Sequence, residues 1–155
     1  MNLLARLGGL ALPAVLWLKT LRVPVALGVA AIAEDKEGHV VLVRHSYRPG
    51  WHLPGGGVAR GEAPAAAIMR ELGEEVGLRT SDPPALLGVF TRRVGISTNV
   101  IVLYRVSKVE FAFRPNFEIL EILRADPVNP PPGTAPGTRR RLAEHAGQVE
   151  QSAQW

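Results

Sequence analysis

The chain has no cysteine among its 155 residues, which excludes disulfide bracing and thiolate metal sites. Aromatic residues are scarce, at 6%, and they do not alternate with basic residues as in a stacking platform, so no nucleic-acid partner is expected. Long hydrophobic runs are also missing. The longest apolar uncharged run, Leu7 to Leu18, falls short of the roughly 20 residues that a transmembrane helix needs. Acidic side chains are the minority sign, 14 against 18 Lys and Arg, for a formal charge of +4. With 46% hydrophobic residues the composition is that of an ordinary folded domain. A chain of this length buries about two thirds of its unfolded surface, enough for a core without staples.

Against that shortage of acids, one stretch concentrates them. Gly55, Gly56, Gly57 and Gly61 form a loop whose missing side chains let backbone N–H groups approach an anion. A helix follows: Pro64 suits its first turn and Gly77 a left-handed stop. At 100° per residue Ala65, Ile68, Met69, Leu72 and Val76 share an inward face. Glu71, Glu74 and Glu75 share another, with Arg70 beside them. Carboxylates at this spacing repel by roughly 0.2–0.5 kcal/mol per close pair, and a cation relieves that cost. Their oxygens are the hard donors that Mg²⁺ prefers, in company with substrate phosphates. Charge pattern alone leaves a solvated acidic face as an equal reading.

The spacing decides between them. The segment resembles the Nudix box, G-x5-E-x7-R-E-U-x-E-E-x-G-U with U aliphatic: Gly56, Glu62, Arg70, Glu71, Leu72, Glu74, Glu75, Gly77 and Leu78 fill every defined position. With each residue type at roughly 7% abundance, such a match arises by chance in well under about one chain in a million. The resemblance implies an α/β/α sandwich around a central mixed sheet. It also implies hydrolysis of a diphosphate linkage in a nucleoside diphosphate joined to another moiety, water attacking phosphorus, with Mg²⁺ or Mn²⁺ as cofactor. Glu74 and Glu75 are then the main metal ligands and Glu71 a further ligand or the base. Arg70 holds a neighbouring carboxylate, and Glu62 orders the loop. The family often adds an acid from beyond the box; Glu118 and Glu121 are the candidates, Glu118 ahead. A non-catalytic Nudix-fold nucleotide-binding or sensor module is the alternative, although such modules commonly carry a damaged box. No substrate flag is legible: Arg93 to Ile96 stand where relatives acting on ADP-ribose or dinucleoside polyphosphates often carry a proline or a tyrosine.

Around the box, Val25–Ala33 and Val40–Arg44 read as a first hairpin, and Leu86–Arg92 with Asn99–Val106 as a second, turning near Val94 to Ser97. Glu110 to Phe113 reads as an edge strand and Asn116 to Leu123 as a further short element. A final helix starts near Thr134 or Thr138 and runs to about Ala146, Arg139 to Arg141 forming a solvated face. Arg44, Arg48, Trp51 and the glycines Gly55 to Gly57 are the candidate substrate contacts; His45 and His52 are read as surface histidines. The domain spans residues 23–147, followed by a frayed tail, 148–155. Residues 1–22 read as an apolar helical segment for packing on the domain, on a second copy in a homodimer, or on a membrane surface. A secretory signal would have to be cut after Ala31-Ile32-Ala33, through the first core strand, so the expected location is cytoplasmic.

Overall fold

Residues 29–33 are buried on both faces of the first strand, and this places the layers. In the computed structural model, which describes residues 25–155, β1 (Val25–Ala33) runs parallel to β5 (Ser97–Val106), and β5 pairs antiparallel with β4 (Ala85–Val94). The central sheet is therefore mixed. A strand apolar on both faces needs cover on both, and β1 divides its side chains between two cores. Val29, Ala31 and Ala33 pack with Ile68, Leu72 and Val76 of α1 (Pro64–Val76). Ala30 and Ile32 face Phe90, Leu103 and Leu142, the last from α2 (Pro136–His145). One helix covers each face of the sheet, as the fold class expected.

The first pair differs from the reading of the sequence. β1 and β2 (Val40–His45) meet only at the isolated Glu34–Val40 bridge beside their turn. β2 instead pairs antiparallel with β7 (Ile119–Ala125). β2 is buried from Val40 to Val43, and a strand of that kind takes neighbours from anywhere in the chain, which local alternation cannot reveal. The second hairpin is as expected, turning at Gly95-Ile96. The edge element shortens to β6 (Glu110–Phe111), paired with β3 (Leu78–Thr80).

Within α1, Pro64 stands at the start, and Gly77 closes the end at φ 69°, its N–H donating to the Leu72 carbonyl. The inward face holds Ala67 in place of Ala65, and Glu75 is buried on it. In α2, Arg139 and Arg140 face solvent as expected, but Arg141 is 1% exposed, a correction to the solvated face. The segment read as frayed is docked: Gln154 bridges to Thr91, and the Trp155 N–H donates to the Thr91 carbonyl at 3.0 Å. The N-terminal apolar segment lies outside the described residues. Among those described, no helix is long and apolar enough to cross a membrane.

Candidate metal and phosphate site

The glycine loop reaches the sheet by backbone hydrogen bonds. Val29 N–H donates to the Gly56 carbonyl, Ala31 N–H to Pro54, and Val58 N–H to Leu27, so residues 54–58 lie along the free side of β1. A Cβ on Gly55, whose φ is +145°, would strike the Val29 carbonyl. One on Gly56 would stand 2.5 Å from Glu71 Oε1. Glycine at 56 thus leaves the space into which the Glu71 carboxylate projects.

Arg70 organises the acids around that loop. Its Nε and Nη2 donate to the two oxygens of Glu62 at 2.9 and 3.0 Å, and its Nη1 donates to Glu71 at 2.8 Å and Glu74 at 3.2 Å. Nη2 also donates to the Gly57 carbonyl at 3.0 Å. The Arg70 hydrogen bonds, with the Ala59 N–H assisting, hold the Glu62 carboxyl down to about 2. The box arginine therefore spans loop and helix, a geometry in keeping with a positioning part.

The box carboxylates separate by environment. Glu74 is mostly exposed, Glu71 largely covered, and Glu75 only 3% exposed. Glu75 accepts the Gly55 N–H at 2.7 Å. Burial pushes its carboxyl up against the opposing pull of that N–H; the charges of Glu71 and Glu118 add to the rise and Arg48 works against it, leaving it near 8. A buried acid beside two others is the environment a cation relieves.

Glu118 joins this group from the loop before β7, whereas Glu121 pairs with Arg44 on the exposed side of the β2–β7 ladder. The Tyr47 hydroxyl donates to Glu118 at 3.1 Å, and the Ser46 N–H and hydroxyl hold the Glu118 and Phe117 carbonyls. The third member, His45, was read as a surface histidine and is 3% exposed. One donor atom each from His45, Glu75 and Glu118 lie within 4.8 Å of one another. The signal for His45 was present in the strand itself: Val41, Val43 and His45 alternate onto the α1 side of β2, and a residue in that register points inward. A guanidinium only donates, so Arg48 Nη2, 2.5 Å from His45 Nε2, makes that nitrogen the acceptor and leaves the proton on Nδ1. Nδ1 has no hydrogen-bond partner. Burial, then the charges of Arg48 and His52, push the ring down to about 4.

Two cavities flank the acids. The smaller, about 240 Å³, is lined by Glu74, Glu75 and residues 116–119. The larger, about 930 Å³, begins at Gly55, Gly56 and Arg48 and continues between β1 and the start of α2, past Arg92, Asn99 and Trp155. The acids stand beside its mouth rather than within it. Of the candidate substrate contacts, Arg48, Gly55 and Gly56 line this cavity. Arg44 and Trp51 instead sit together, 5.5 Å from guanidinium carbon to ring centroid, with Trp51 capping the second core.

The Nudix domain model matches residues 24–146. RNA pyrophosphohydrolases from Hydrogenovibrio crunogenus and Francisella tularensis are each 44% identical over 54 residues, 35% of this chain and 33% and 35% of theirs. The chain thus aligns with about a third of those relatives' length. A MutT Nudix hydrolase structure from Burkholderia pseudomallei superposes with a TM-score of 0.63 at 24% identity, over 76% of this chain and 95% of that one. A UDP-X diphosphatase structure superposes with a TM-score of 0.64 at 22% identity, over 83% and 66% respectively. With its domain model matched from β1 to the end of α2, the chain belongs to the Nudix family.

Proposed function

We propose that this protein is a pyrophosphohydrolase that cleaves a diphosphate linkage in a nucleoside diphosphate carrying a further moiety. The observation that carries the reading is the gathering of Glu71 and Glu118 around Glu75, whose carboxylate accepts the Gly55 N–H of the loop that lines the basic cavity. The matched names, RNA pyrophosphohydrolase and UDP-X diphosphatase, share the cleavage of a phosphoanhydride.

The donor set fits a hard divalent ion: carboxylate oxygens of Glu71, Glu74, Glu75 and Glu118, with Glu75 held against ionisation while no cation is near it. Mg²⁺ or Mn²⁺ supplies charge neutralisation on the diphosphate and activates water. The chain's own groups do the rest. Arg70 keeps the Glu71 and Glu74 carboxylates oriented, and the Gly55 N–H fixes one oxygen of Glu75. Glu62 ties the loop to the helix. Arg48, at the cavity mouth, offers its charge to phosphate. Water attacks one phosphorus, the P–O–P bridge breaks, and two phosphate-ended products leave.

The test is a panel of nucleoside triphosphates, nucleotide sugars, ADP-ribose, dinucleoside polyphosphates and a 5′-triphosphorylated RNA. The RNA is included because of the relatives' names. Products formed with Mg²⁺ or Mn²⁺ are identified by mass spectrometry, with Glu75→Gln run in parallel. Cleavage that Glu75→Gln reduces at least a hundredfold supports the proposal. Tight binding with no turnover under any divalent ion replaces it with the binding-module reading.

A further inference from the structure

We infer that Trp155, which lines the large cavity, presents its indole as the surface on which the base of a nucleoside di- or triphosphate stacks. The inference rests on the hydrolase reading for the identity of the ligand and adds a specificity-determining residue that lies far from the box in sequence.

The segment that carries Trp155 is held in place. The Thr91 N–H donates to the Ala153 carbonyl at 3.2 Å, and the Trp155 N–H donates back to Thr91 at 3.0 Å, so residues 153–155 extend the sheet alongside β4. Arg141, which would be an unusual charge to bury without a purpose, donates to the Ser152 and Gln154 carbonyls at 3.4 and 3.2 Å. Glu144 accepts from Arg141 at 2.6 Å and from the Ser152 N–H at 3.0 Å. Two of the three hydrogen bonds that Arg141 donates go to the segment carrying the tryptophan, while its Nε has no partner.

The ring itself is half-buried. Phe90 meets it edge-on at 6.0 Å between centroids, and the Arg141 guanidinium lies 5.6 Å from its centre. Trp155 is among the residues that line the cavity. Space for it depends on Gly137, where a Cβ would stand 2.6 Å from the indole Nε1. A cavity of about 930 Å³ is at the upper end of the range for small-molecule sites, roughly 300–1,000 Å³. Its two ends differ in chemistry: Arg48 and the glycine loop adjoin the acids, which suits phosphate, and the indole offers an apolar face, which suits a base. Asn99 lines the space between and carries both donor and acceptor groups for a base edge. Arg92 adds a second cation along the way.

The experiment measures binding to the full chain in EDTA, by calorimetry, with ATP, GTP, CTP, UTP and base-free inorganic tripolyphosphate as probes. Steady-state hydrolysis with Mg²⁺ is measured alongside. Trp155→Ala is expected to weaken nucleotide binding about tenfold and raise KM with kcat nearly unchanged, leaving tripolyphosphate affinity as it was. Trp155→Phe restores most of the loss. Gly137→Ala, a change that favours the helix and leaves the Phe90–Arg141 packing in place, pushes on the indole and gives a smaller loss of the same pattern. Melting temperatures show whether each variant is folded; if Trp155→Ala is not, Gly137→Ala carries the test. Unchanged nucleotide affinity in the folded variants overturns the inference, as does an equal loss for nucleotides and tripolyphosphate. Hydrolysis that proceeds but ignores Trp155 sinks the inference alone, whereas Trp155-dependent nucleotide binding without hydrolysis sinks the hydrolase reading and keeps the stacking surface.

Discussion

His45 Nδ1 stands 3.9 Å from Glu75 Oε1, with neither side chain more than 4% exposed to solvent. The contact is beyond hydrogen-bond reach, so two titratable groups share a buried space without satisfying each other. Each is pushed toward its neutral form, Glu75 up to about 8 and His45 down to about 4. Without a cation, burial favours the protonated Glu75 and the neutral imidazole.

This relationship predicts how stability follows pH in the metal-free protein. Glu75 has a folded pKa raised above its ordinary 4.5, so its contribution is fully present below pH 4.5 and is lost as pH rises toward 8. His45 has a folded pKa below its ordinary 6.5, so its contribution is present above pH 6.5 and is lost as pH falls toward 4. Glu75→Gln removes the first effect. In EDTA its melting temperature should exceed the wild type's by roughly 3–8 °C at pH 8, with the gap closing toward pH 4.5. A constant gap across that range, read by scanning calorimetry, would show that ionisation of Glu75 is not the cause.

Glu118 and Glu121 should separate cleanly. Glu118→Gln removes a carboxylate from the cluster, so half-maximal Mg²⁺ should rise about tenfold or more, with a fall in kcat. Glu121→Gln loses an exposed pair with Arg44 and should cost under about 1 kcal/mol, with activity within twofold. Titrating activity against Mg²⁺ for the two variants distinguishes them, and equal effects would remove Glu118 from the site.

Arg70→Lys is predicted to fail as a conservative change. A lysine cannot span Glu62, Glu71, Glu74 and the Gly57 carbonyl together. Activity should fall roughly 10–100-fold. The loss of stability should be small beside the loss of activity, because the guanidinium is about one third exposed and its ion pairs are screened by solvent. A lysine variant with full activity would mean that the charge alone suffices.

Gly56→Ala tests the cradle. The added Cβ would lie 2.5–2.8 Å from all three carboxylate atoms of Glu71. That carboxylate ends a flexible side chain and can swing away, so the fold should survive with a melting temperature within a few degrees while kcat drops at least tenfold. A large loss of stability with little loss of activity would place the strain elsewhere.

Much of this protein is legible in local sequence, because local spacing sets what a helix and its turns can do. The box period alone puts Glu71, Glu74, Glu75 and Arg70 on one helix behind a glycine loop. Pro64 and Gly77 mark the ends of that helix by their own backbone preferences, and alternating apolar residues announce the β4–β5 hairpin. The register of Val41, Val43 and His45 even points the histidine inward. Contacts between distant segments required the tertiary structure. Only the fold pairs β1 with β5 rather than β2, brings Glu118 rather than Glu121 beside Glu75, buries Arg141 and docks Trp155 into the cavity wall. Those outcomes depend on which buried surfaces find each other across the chain, and long-range packing leaves no periodicity in the residues that join it.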